Sequence, residues 1–516
     1  MTFNSYQFFI FLPLVLLFYF IIPGKWRTAW LLLVSYLFYF RFHPKYVFVL
    51  LAVTAVSYAA GLRMEKTTEE SRASREEGLA EGGGKRRMEE AARKKRIALW
   101  TGVGISLAVL VIFKYTDFIL ENINGVLGLA GREPVSLPFS LVMPVGISYF
   151  TFQIISYLSD IYYGKASAEK NFLVYALYVS FFPKIISGPI ERAEDFLVQI
   201  RDCRNWKLWD GGRVRDGLVL MMWGYFEKLV IADRLAILTE KVFGDYASYG
   251  SVELFIAAAA FYIQLYTDFD GCINMARGMA KVMGFTLAEN FNAPFFAKNI
   301  RDYWSRWHIS LSLWLRDYIY IPLGGNRRGT FCKYRNLLLT FLVSGIWHGA
   351  AWNYVFWGLL HGIYEVLGLA AAPFIEKINN KLHTRTQTFS YRLMQTVKCW
   401  LLVCFAYIFF KVPTAADGLR YLKRMLTKWN PWALFDGSLY TLGISEKYFH
   451  FLIWAVILLL LVDWLKYKKH MEIDEWLGTQ CIWFRFAAML GCIMAVIIFG
   501  AYGPAYEAGN FIYFQF

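Results

Sequence analysis

Residues 336–369 read NLLLTFLVSGIWHGAAWNYVFWGLLHGIYEVLGL, a run whose only charged residue is Glu365. A membrane-spanning helix needs about 20 mainly apolar residues, so this run is long enough to enter or cross a bilayer. If it is one helix from Arg335 onward, His348 lies about 20 Å along it, at membrane depth. An ionisable side chain at that depth is costly, and it therefore indicates a functional site.

Similar apolar runs recur along the whole chain and predict its fold class. Of its residues, 57% are hydrophobic and 18% are charged, whereas soluble domains average about 25% charged residues. We expect an all-α polytopic membrane protein forming one domain over 1–516, with about ten to twelve transmembrane helices and shorter re-entrant or interfacial helices. The other runs are 5–22, 28–42, 45–62, 97–113, 139–162, 171–187, 216–232, 252–268, 392–411, 450–466 and 483–502.

The charge distribution predicts topology rather than nucleic-acid binding. The chain carries a net charge of +15, and its basic residues lie mostly between apolar runs, as cytoplasmic loops require. Residues 63–96 hold eleven Lys/Arg and eight Asp/Glu around Gly82–Gly84. They predict a charged cytoplasmic loop with two short solvated helices and a flexible joint, which makes the N-terminus extracytoplasmic. A topology anchor and a regulatory or partner-binding loop both remain open.

A second histidine lies in Arg301-Asp-Tyr-Trp-Ser-Arg-Trp-His308-Ile-Ser310. Tryptophan and tyrosine favour the membrane interface, so residues 298–318 are predicted to form an amphipathic helix at or in the membrane surface. On one helix, Arg301, Trp304, His308 and Leu311 share a face. His308 would then point into the protein.

The neighbours of His348 in the apolar run are compatible with a catalytic site. Ser344, His348 and Trp352 fall on one helical face, and Gly345 and Gly349 allow another helix or a substrate to approach. A neutral histidine can deprotonate a hydroxyl and then protonate a leaving group. A packed structural histidine is the alternative. His361 is expected near the far membrane face.

Several charged groups have two open interpretations. Basic residues bracket the turn Ile321-Pro-Leu-Gly-Gly-Asn326; they could bind the phosphates of coenzyme A or could fix topology. Asp268 and Asp270 end an apolar run, where they could form an acid/base pair or a cation site, or could cap a helix near water. The seven cysteines show no metal-binding spacing, and no metal or tightly bound cofactor is expected.

Long motifs in the 301–362 block resemble the membrane-bound O-acyltransferase family, and within it the bacterial branch of the alginate O-acetyltransferase membrane subunit. They are YWSRWHISLS (303–312), WLRDYIYIPLGGNR (314–327), SGIWHGA (344–350) and WGLLHG (357–362). Weaker matches are YFTFQ (149–153), SGPI (187–190) and ENFN (289–292). The branch usually reads Asp-Phe-Ser-Gly-Tyr where this chain has Asp268-Phe-Asp270-Gly-Cys272, so the glycan remains open.

The resemblance implies a fold with a central cavity and an O-acyltransferase reaction. It implies that His348 is the catalytic histidine and that His308 shapes or poises the site. Acetyl-CoA on the cytoplasmic side is the implied donor, and a serine-hydrolase-like extracytoplasmic partner would pass the acetyl group to a cell-surface polysaccharide. The implied location is the bacterial inner membrane. The residues expected to contact substrate or donor are Trp304, Trp307, Trp347, Ser344, Trp352, Gln153, Arg301, Arg306 and Arg327.

Two other functions compete with polysaccharide acetylation. One is D-alanyl transfer to teichoic acid, with the donor on a carrier protein. The other is a proton-coupled transporter or flippase that uses Asp268, Asp270 and the histidines as a relay. Such transporters often contain inverted repeats, and none is evident here.

Overall fold

A computed structural model describes residues 1–42, 44–76, 83–138 and 141–502, and within these ranges it contains helices and no β-strand. The predicted all-α class is confirmed. The chain divides into two compact units, one of Met1–Val214 with Ala280–Ala288, and one of Arg215–Met279 with the chain from Glu289 onward. Each unit is described by itself, and the single domain over 1–516 stays a prediction.

The first unit is built around a long helical hairpin. Gly102 lies where the hairpin meets a third helix: a Cβ added there would come within 2.6 Å of Leu158 and 3.1 Å of Ala60. Glycine therefore permits these three backbones to approach closely. The helices are α1 (Tyr6–Ile21), α2 (Gly24–Phe40), α3 (Tyr46–Glu76), α4 (Gly83–Lys114), α5 (Thr116–Leu129), α6 (Ile147–Tyr162), α7 (Phe172–Ser180), α8 (Phe182–Ile185) and α9 (Ala193–Asp202).

The charged segment 63–96 is helical, but not as two separate short helices. Its described residues are the ends of α3 and α4, which continue directly from the apolar parts of the hairpin. The prediction that the charged residues lie on helices was thus correct. The predicted boundary between span and loop was wrong, because each helix continues past the end of its apolar stretch. Of the predicted joint at Gly82–Gly84, Gly83 and Gly84 begin α4, and Gly82 lies outside the described residues.

The predicted run 171–187 is broken. Phe181 leaves the helical conformation, so α7 has nine residues and α8 has four, each too short to cross a bilayer. Buried side chains fix the break: Ser35 Oγ accepts a hydrogen bond from the backbone N–H of Phe182 at 3.1 Å. Tyr175 is held nearby, because its hydroxyl donates to Ser57 Oγ at 2.8 Å.

The second unit packs its helices around α12, whose aromatic side chains form the centre of the core. Tyr262, for example, lies 4.9 Å from Phe295 and 5.4 Å from Tyr407, measured between ring centroids. The helices that follow α9 are α10 (Gly211–Tyr225), α11 (Asp233–Gly244), α12 (Ser251–Met283), α13 (Ile300–Trp304), α14 (Ile309–Leu315), α15 (Gly329–His348), α16 (Trp352–Lys381), α17 (Phe389–Lys411), α18 (Ala415–Thr427), α19 (Glu446–Lys469), α20 (Ile473–Gly478) and α21 (Ile482–Phe499). The π-helical stretch Phe226–Ala232 joins α10 to α11.

Seven helices of the described chain are long and apolar enough to cross a membrane. They lie within α3, α4, α12, α16, α17, α19 and α21. α21 buries none of its residues although it is almost wholly apolar, which is the pattern of a helix that faces lipid. The chain is therefore a multi-pass membrane protein. Several other predicted runs correspond to shorter helices, such as α1 with 16 residues.

Candidate active site

His348 is the last residue of α15, and this corrects the prediction of one continuous helix through residues 336–369. Gly349 is extended (φ −161°, ψ 153°), and α16 starts at Trp352. Trp352 is 62% exposed and does not share a helical face with His348. Because the helix stops there, His348 lies at a turn between two helices rather than midway along a span. Ser344, one turn earlier in α15, is buried, and its contact with substrate or donor stays a prediction.

Glycines bring α15 and α16 into close contact around this turn. A Cβ on Gly345 would come within 2.4 Å of the Tyr354 carbonyl oxygen and 3.2 Å of Gly358. A Cβ on Gly349 would overlap the Tyr354 ring at 2.2 Å. The small residues identified in the sequence therefore allow two helices of the same chain to pack tightly, and they fix where His348 is held.

His308 also lies at a break, so the predicted single helix over 298–318 is wrong. α13 ends at Trp304 and α14 starts at Ile309, with His308 between them in the left-handed conformation (φ 45°, ψ 54°). A residue with a Cβ adopts this conformation at a cost of about 1–2 kcal/mol, which surrounding contacts must offset. The periodic pattern hid the break because it contains neither glycine nor proline.

Asn290 supplies those contacts. Its side-chain oxygen accepts from the Ser310 backbone N–H at 3.0 Å and from Ser310 Oγ at 2.9 Å, and it lies 3.3 Å from His308 Nδ1. Its backbone oxygen accepts from the Ile309 N–H at 2.9 Å. Because the Ser310 N–H can only donate, the Asn290 atom facing it is an oxygen, and Nδ1 of His308 carries the hydrogen. Nε2 then holds the lone pair that can take up a proton.

The structure brings the two predicted catalytic histidines together. Their ring centroids lie 6.2 Å apart with 64° between the ring planes, and both side chains are buried. Trp347 lies 5.8 Å from His308 and 4.9 Å from His348. Burial lowers the pKa of His308 to about 3, so this ring is neutral near pH 7. Two histidines distant in sequence thus share one buried location.

Aromatic side chains surround the pair. Phe269 lies 4.8 Å from the His308 ring; Trp357 and Phe410 lie 4.9 Å and 5.6 Å from the His348 ring. Rings packed this closely leave little room for water, which would hydrolyse a reactive acyl donor. Both histidine rings therefore lie in an apolar, aromatic setting.

His361 was misplaced by the sequence analysis. It is fully buried rather than near a membrane face, and its ring lies 4.9 Å from Trp357, which also contacts His348. Nδ1 of His361 accepts a hydrogen bond from Trp304 Nε1 at 3.3 Å. The spacing of thirteen residues from His348 placed it wrongly, because the helix reverses direction between them. Its sequence signals were its place in an apolar run and in the WGLLHG motif, and neither gave its position.

The other predicted contact residues divide into three groups. Trp304, Trp307 and Trp347 are buried in the aromatic layer beside the histidines, and their contact with substrate or donor stays a prediction. Gln153 is buried in α6 of the first unit. Arg301 and Arg327 are exposed.

Arg306 has a structural role in the described residues. Its Nε donates to Asp302 at 2.7 Å, and its guanidinium carbon lies 5.1 Å from the Tyr467 ring centre. The turn that carries Arg327 is held by Asn336, whose side-chain nitrogen donates to the carbonyls of Leu323 at 3.2 Å and Gly325 at 2.9 Å. No described contact shows an arginine directed at the histidine pair.

The sequence suggested that Asp268 and Asp270 could cap the end of a helix. They lie within α12 instead, because this helix continues to Met283. Both are buried. Asp268 pairs with Lys228 at 2.5 Å, and Lys228 also pairs with Asp233 at 2.8 Å. The carboxylate–ammonium pairing offsets the cost of burying these charges. Within the described residues, no group of three His, Cys, Asp or Glu side chains is arranged to hold a metal ion.

Fold and site together define a multi-pass membrane protein with a buried pair of histidines. A model of the membrane-bound O-acyltransferase family matches residues 163–411. A protein of Pseudomonas putida named probable alginate O-acetylase AlgI is 37% identical over 380 residues, which cover 72% of each chain. The chain therefore belongs to the membrane-bound O-acyltransferase family, and it is an acyltransferase.

Other relatives differ in the reaction that their names state. The peptidoglycan O-acetyltransferase of Helicobacter pylori is 32% identical over 460 residues, covering 83% of this chain and 80% of the relative. The teichoic acid D-alanyltransferase of Bacillus subtilis is 29% identical over 302 residues, covering 55% of this chain and 72% of the relative. The match to the two O-acetylating relatives is thus more extensive than the match to the D-alanylating one.

Proposed function

We propose that this protein transfers acetyl groups from acetyl-CoA in the cytoplasm toward a polysaccharide outside the bacterial inner membrane. The observation that carries the proposal is the buried pair of His308 and His348 in a member of an acyltransferase family. Relatives named for acetylation of alginate and of peptidoglycan support the acetyl group and the polysaccharide acceptor. Acetyl-CoA is a substrate in this proposal, and no tightly bound cofactor takes part.

In the proposed reaction, His348 acts as the general base. An imidazole nitrogen of His348 takes the proton from an acceptor hydroxyl while the hydroxyl oxygen attacks the thioester carbonyl. The C–S bond then breaks, the acetyl group becomes an ester of the acceptor, and the imidazolium returns its proton to the leaving thiolate. Protons and acetyl groups balance without a further reactant.

His308 is proposed as the residue that positions the reacting group. Asn290 holds its Nδ1–H, so Nε2 has a fixed direction and can accept a hydrogen bond. Burial keeps the His308 ring neutral, so in this proposal it does not compete with His348 for the proton of the acceptor hydroxyl. A serine-hydrolase-like partner outside the membrane would take the acetyl group onward to the polysaccharide.

The proposal is tested with purified protein and acetyl-labelled acetyl-CoA. We expect release of free coenzyme A and appearance of ester-linked label on an added acceptor, lost at least about a thousandfold in His348→Ala. The matched control is His450→Ala, because His450 is exposed at the start of α19 and its loss should leave activity unchanged. Folding of both variants is checked by gel filtration and thermal unfolding.

Three results would contradict the proposal. Near-normal acetyl transfer in folded His348→Ala would exclude the mechanism. Transfer from a D-alanyl carrier protein, with none from acetyl-CoA, would favour the teichoic acid reaction. Uptake of substrate into vesicles without consumption of a thioester would favour a transporter.

A further inference from the structure

A membrane-facing groove lies within the second unit, away from the histidine pair. It encloses about 990 Å³ and runs between α17 and α19, with Ile263 of α12 at its base. α17 contributes residues near its start, from Phe389 to Trp400, and α19 contributes residues near its end, from Ile457 to Lys468. The two helices therefore run in opposite directions along the groove, so the start of α17 meets the end of α19.

The length of the groove along the helices is about the thickness of one leaflet of a bilayer. Eleven residue steps separate Phe389 from Trp400 and Ile457 from Lys468, and each stretch rises about 16 Å as a helix. Half of a hydrocarbon core about 30 Å thick measures about 15 Å. The side chains along this length are almost all apolar, and Leu393 and Trp464 are each about half exposed. This shape and chemistry suit an extended acyl chain.

Positive charge is confined to one end of the groove. Lys298, Arg392 and Lys468 line that end, and no Asp or Glu lines any part of it. Within the described residues, neither lysine ammonium takes part in an ion pair, and the Arg392 guanidinium donates to the neutral side-chain oxygen of Gln387. No carboxylate among the lining residues neutralises these three cations, and Asp302, which accepts from the Lys298 backbone N–H at 3.0 Å, is itself paired with Arg306. A phosphate bearing a net negative charge would complement them.

We propose that this groove binds one anionic phospholipid, with its phosphate at the three cations and an acyl chain along α17 and α19. Charge complementarity selects this occupant. A zwitterionic lipid would bring its own ammonium group to a mouth that already carries three positive charges, and a soluble phosphate compound would leave the apolar length uncovered. Basic pockets between transmembrane helices commonly hold such headgroups.

The groove also adjoins the layer that supports the histidines. Tyr467 stacks on Phe296 at 5.4 Å and lies under the guanidinium of Arg306, two residues before His308. Trp400 lies 5.8 Å from Tyr262, a central ring of the core. A lipid in the groove would therefore pack against the outer side of the structure that holds the active-site turn.

Native mass spectrometry of the whole protein, titrated with phosphatidylglycerol, tests the proposal. We expect one lipid to bind in preference to the rest, and Lys298→Gln/Arg392→Gln/Lys468→Gln to weaken that binding at least about tenfold. The matched control is Arg420→Gln/Lys423→Gln/Lys428→Gln, which removes the same charge from exposed positions in and after α18 and should bind like wild type.

A second measurement locates the lipid. Phosphatidylglycerol brominated in its acyl chains should quench part of the tryptophan fluorescence of wild type, and that part should be missing in Trp464→Phe. Equal binding by wild type and the groove variant, or equal affinity for phosphatidylcholine, would overturn the proposal. So would quenching that is unchanged in Trp464→Phe. None of these outcomes depends on the acetyl-transfer reaction.

Discussion

Nδ1 of His308 lies 3.3 Å from the side-chain oxygen of Asn290, and this contact sets both the orientation and the protonated nitrogen of the histidine. The same oxygen accepts two hydrogen bonds from Ser310, so one amide holds the whole turn between α13 and α14.

Asn290→Ala should therefore disrupt the site although both histidines are kept. It removes three hydrogen bonds around a buried turn, which we expect to cost about 2–4 kcal/mol of stability and to lower acetyl transfer about tenfold or more. Ser310→Ala, which removes one of the side-chain bonds, should have a much smaller effect.

Asn290→Asp should raise the pKa of His308, because the carboxylate stabilises the imidazolium. As the pH is lowered, the rate should therefore begin to decline at a higher pH than it does in wild type. An unchanged pH profile would contradict the positioning role.

The two histidines should act as a unit. His308→Ala and His348→Ala should each reduce acetyl transfer severely, and the double variant should be little worse than His348→Ala alone, because both rings serve one reaction. Initial rates of coenzyme A release from all four proteins measure this coupling. Fully multiplicative losses would indicate that the rings, although 6.2 Å apart, act independently.

His361 is expected to support the site through Trp304 and Trp357. His361→Phe keeps an aromatic ring of similar shape but removes the acceptor for Trp304 Nε1, leaving a buried donor unsatisfied at a cost of about 1–3 kcal/mol. We expect kcat to decrease several-fold with little change in KM, since His361 lies behind the histidine pair. His361→Gln, which can accept the bond, should restore part of kcat. A loss as large as that of His348→Ala would make His361 a catalytic residue instead.

A buried ion-pair network in the second unit predicts a pH-dependent stability. Glu472 lies 3.1 Å from Arg277 and 3.3 Å from Lys466, and although burial alone would raise its pKa, Arg277 and Lys466 lower it to about 2. Its carboxylate therefore stabilises the fold fully above pH 4.5, and this stabilisation is lost as the pH falls toward 2. Glu472→Gln should cost about 1–3 kcal/mol at pH 7 and progressively less below pH 4.5.

Thermal unfolding in detergent at several pH values measures that difference. Glu376→Gln is the control, because Glu376 is exposed on α16 and its loss should change stability little at any pH. A constant gap between wild type and Glu472→Gln from pH 7 to pH 3 would contradict the assignment.

The amino-acid sequence was sufficient to predict the helical membrane class and to select two histidines that the structure places side by side, because hydrophobic runs and ionisable residues within them are strong local signals. It was not sufficient for the breaks that position those histidines. Gly349 and the left-handed residue 308 interrupt patterns that fit continuous helices, and the hydrogen bonds that hold the turn at residue 308 come from Asn290, outside that pattern. Asn290 and His361 were not singled out as site residues for the same reason. The role of Asn290 appears only when it meets the turn between α13 and α14, and that of His361 only when α15 and α16 fold back on each other.

The backbone at His308 also implies a trade-off between stability and activity. Glycine adopts φ 45° at little cost, so His308→Gly should be about 1 kcal/mol more stable than His308→Ala when their unfolding temperatures are compared. At an ordinary helical position the order is reversed, with glycine about 0.5–1 kcal/mol less stable than alanine. Selection for a stable turn alone would place glycine here. Under the proposed mechanism, the imidazole on this strained backbone serves the reaction at the expense of stability, and a stability-guided redesign that placed glycine here would remove it.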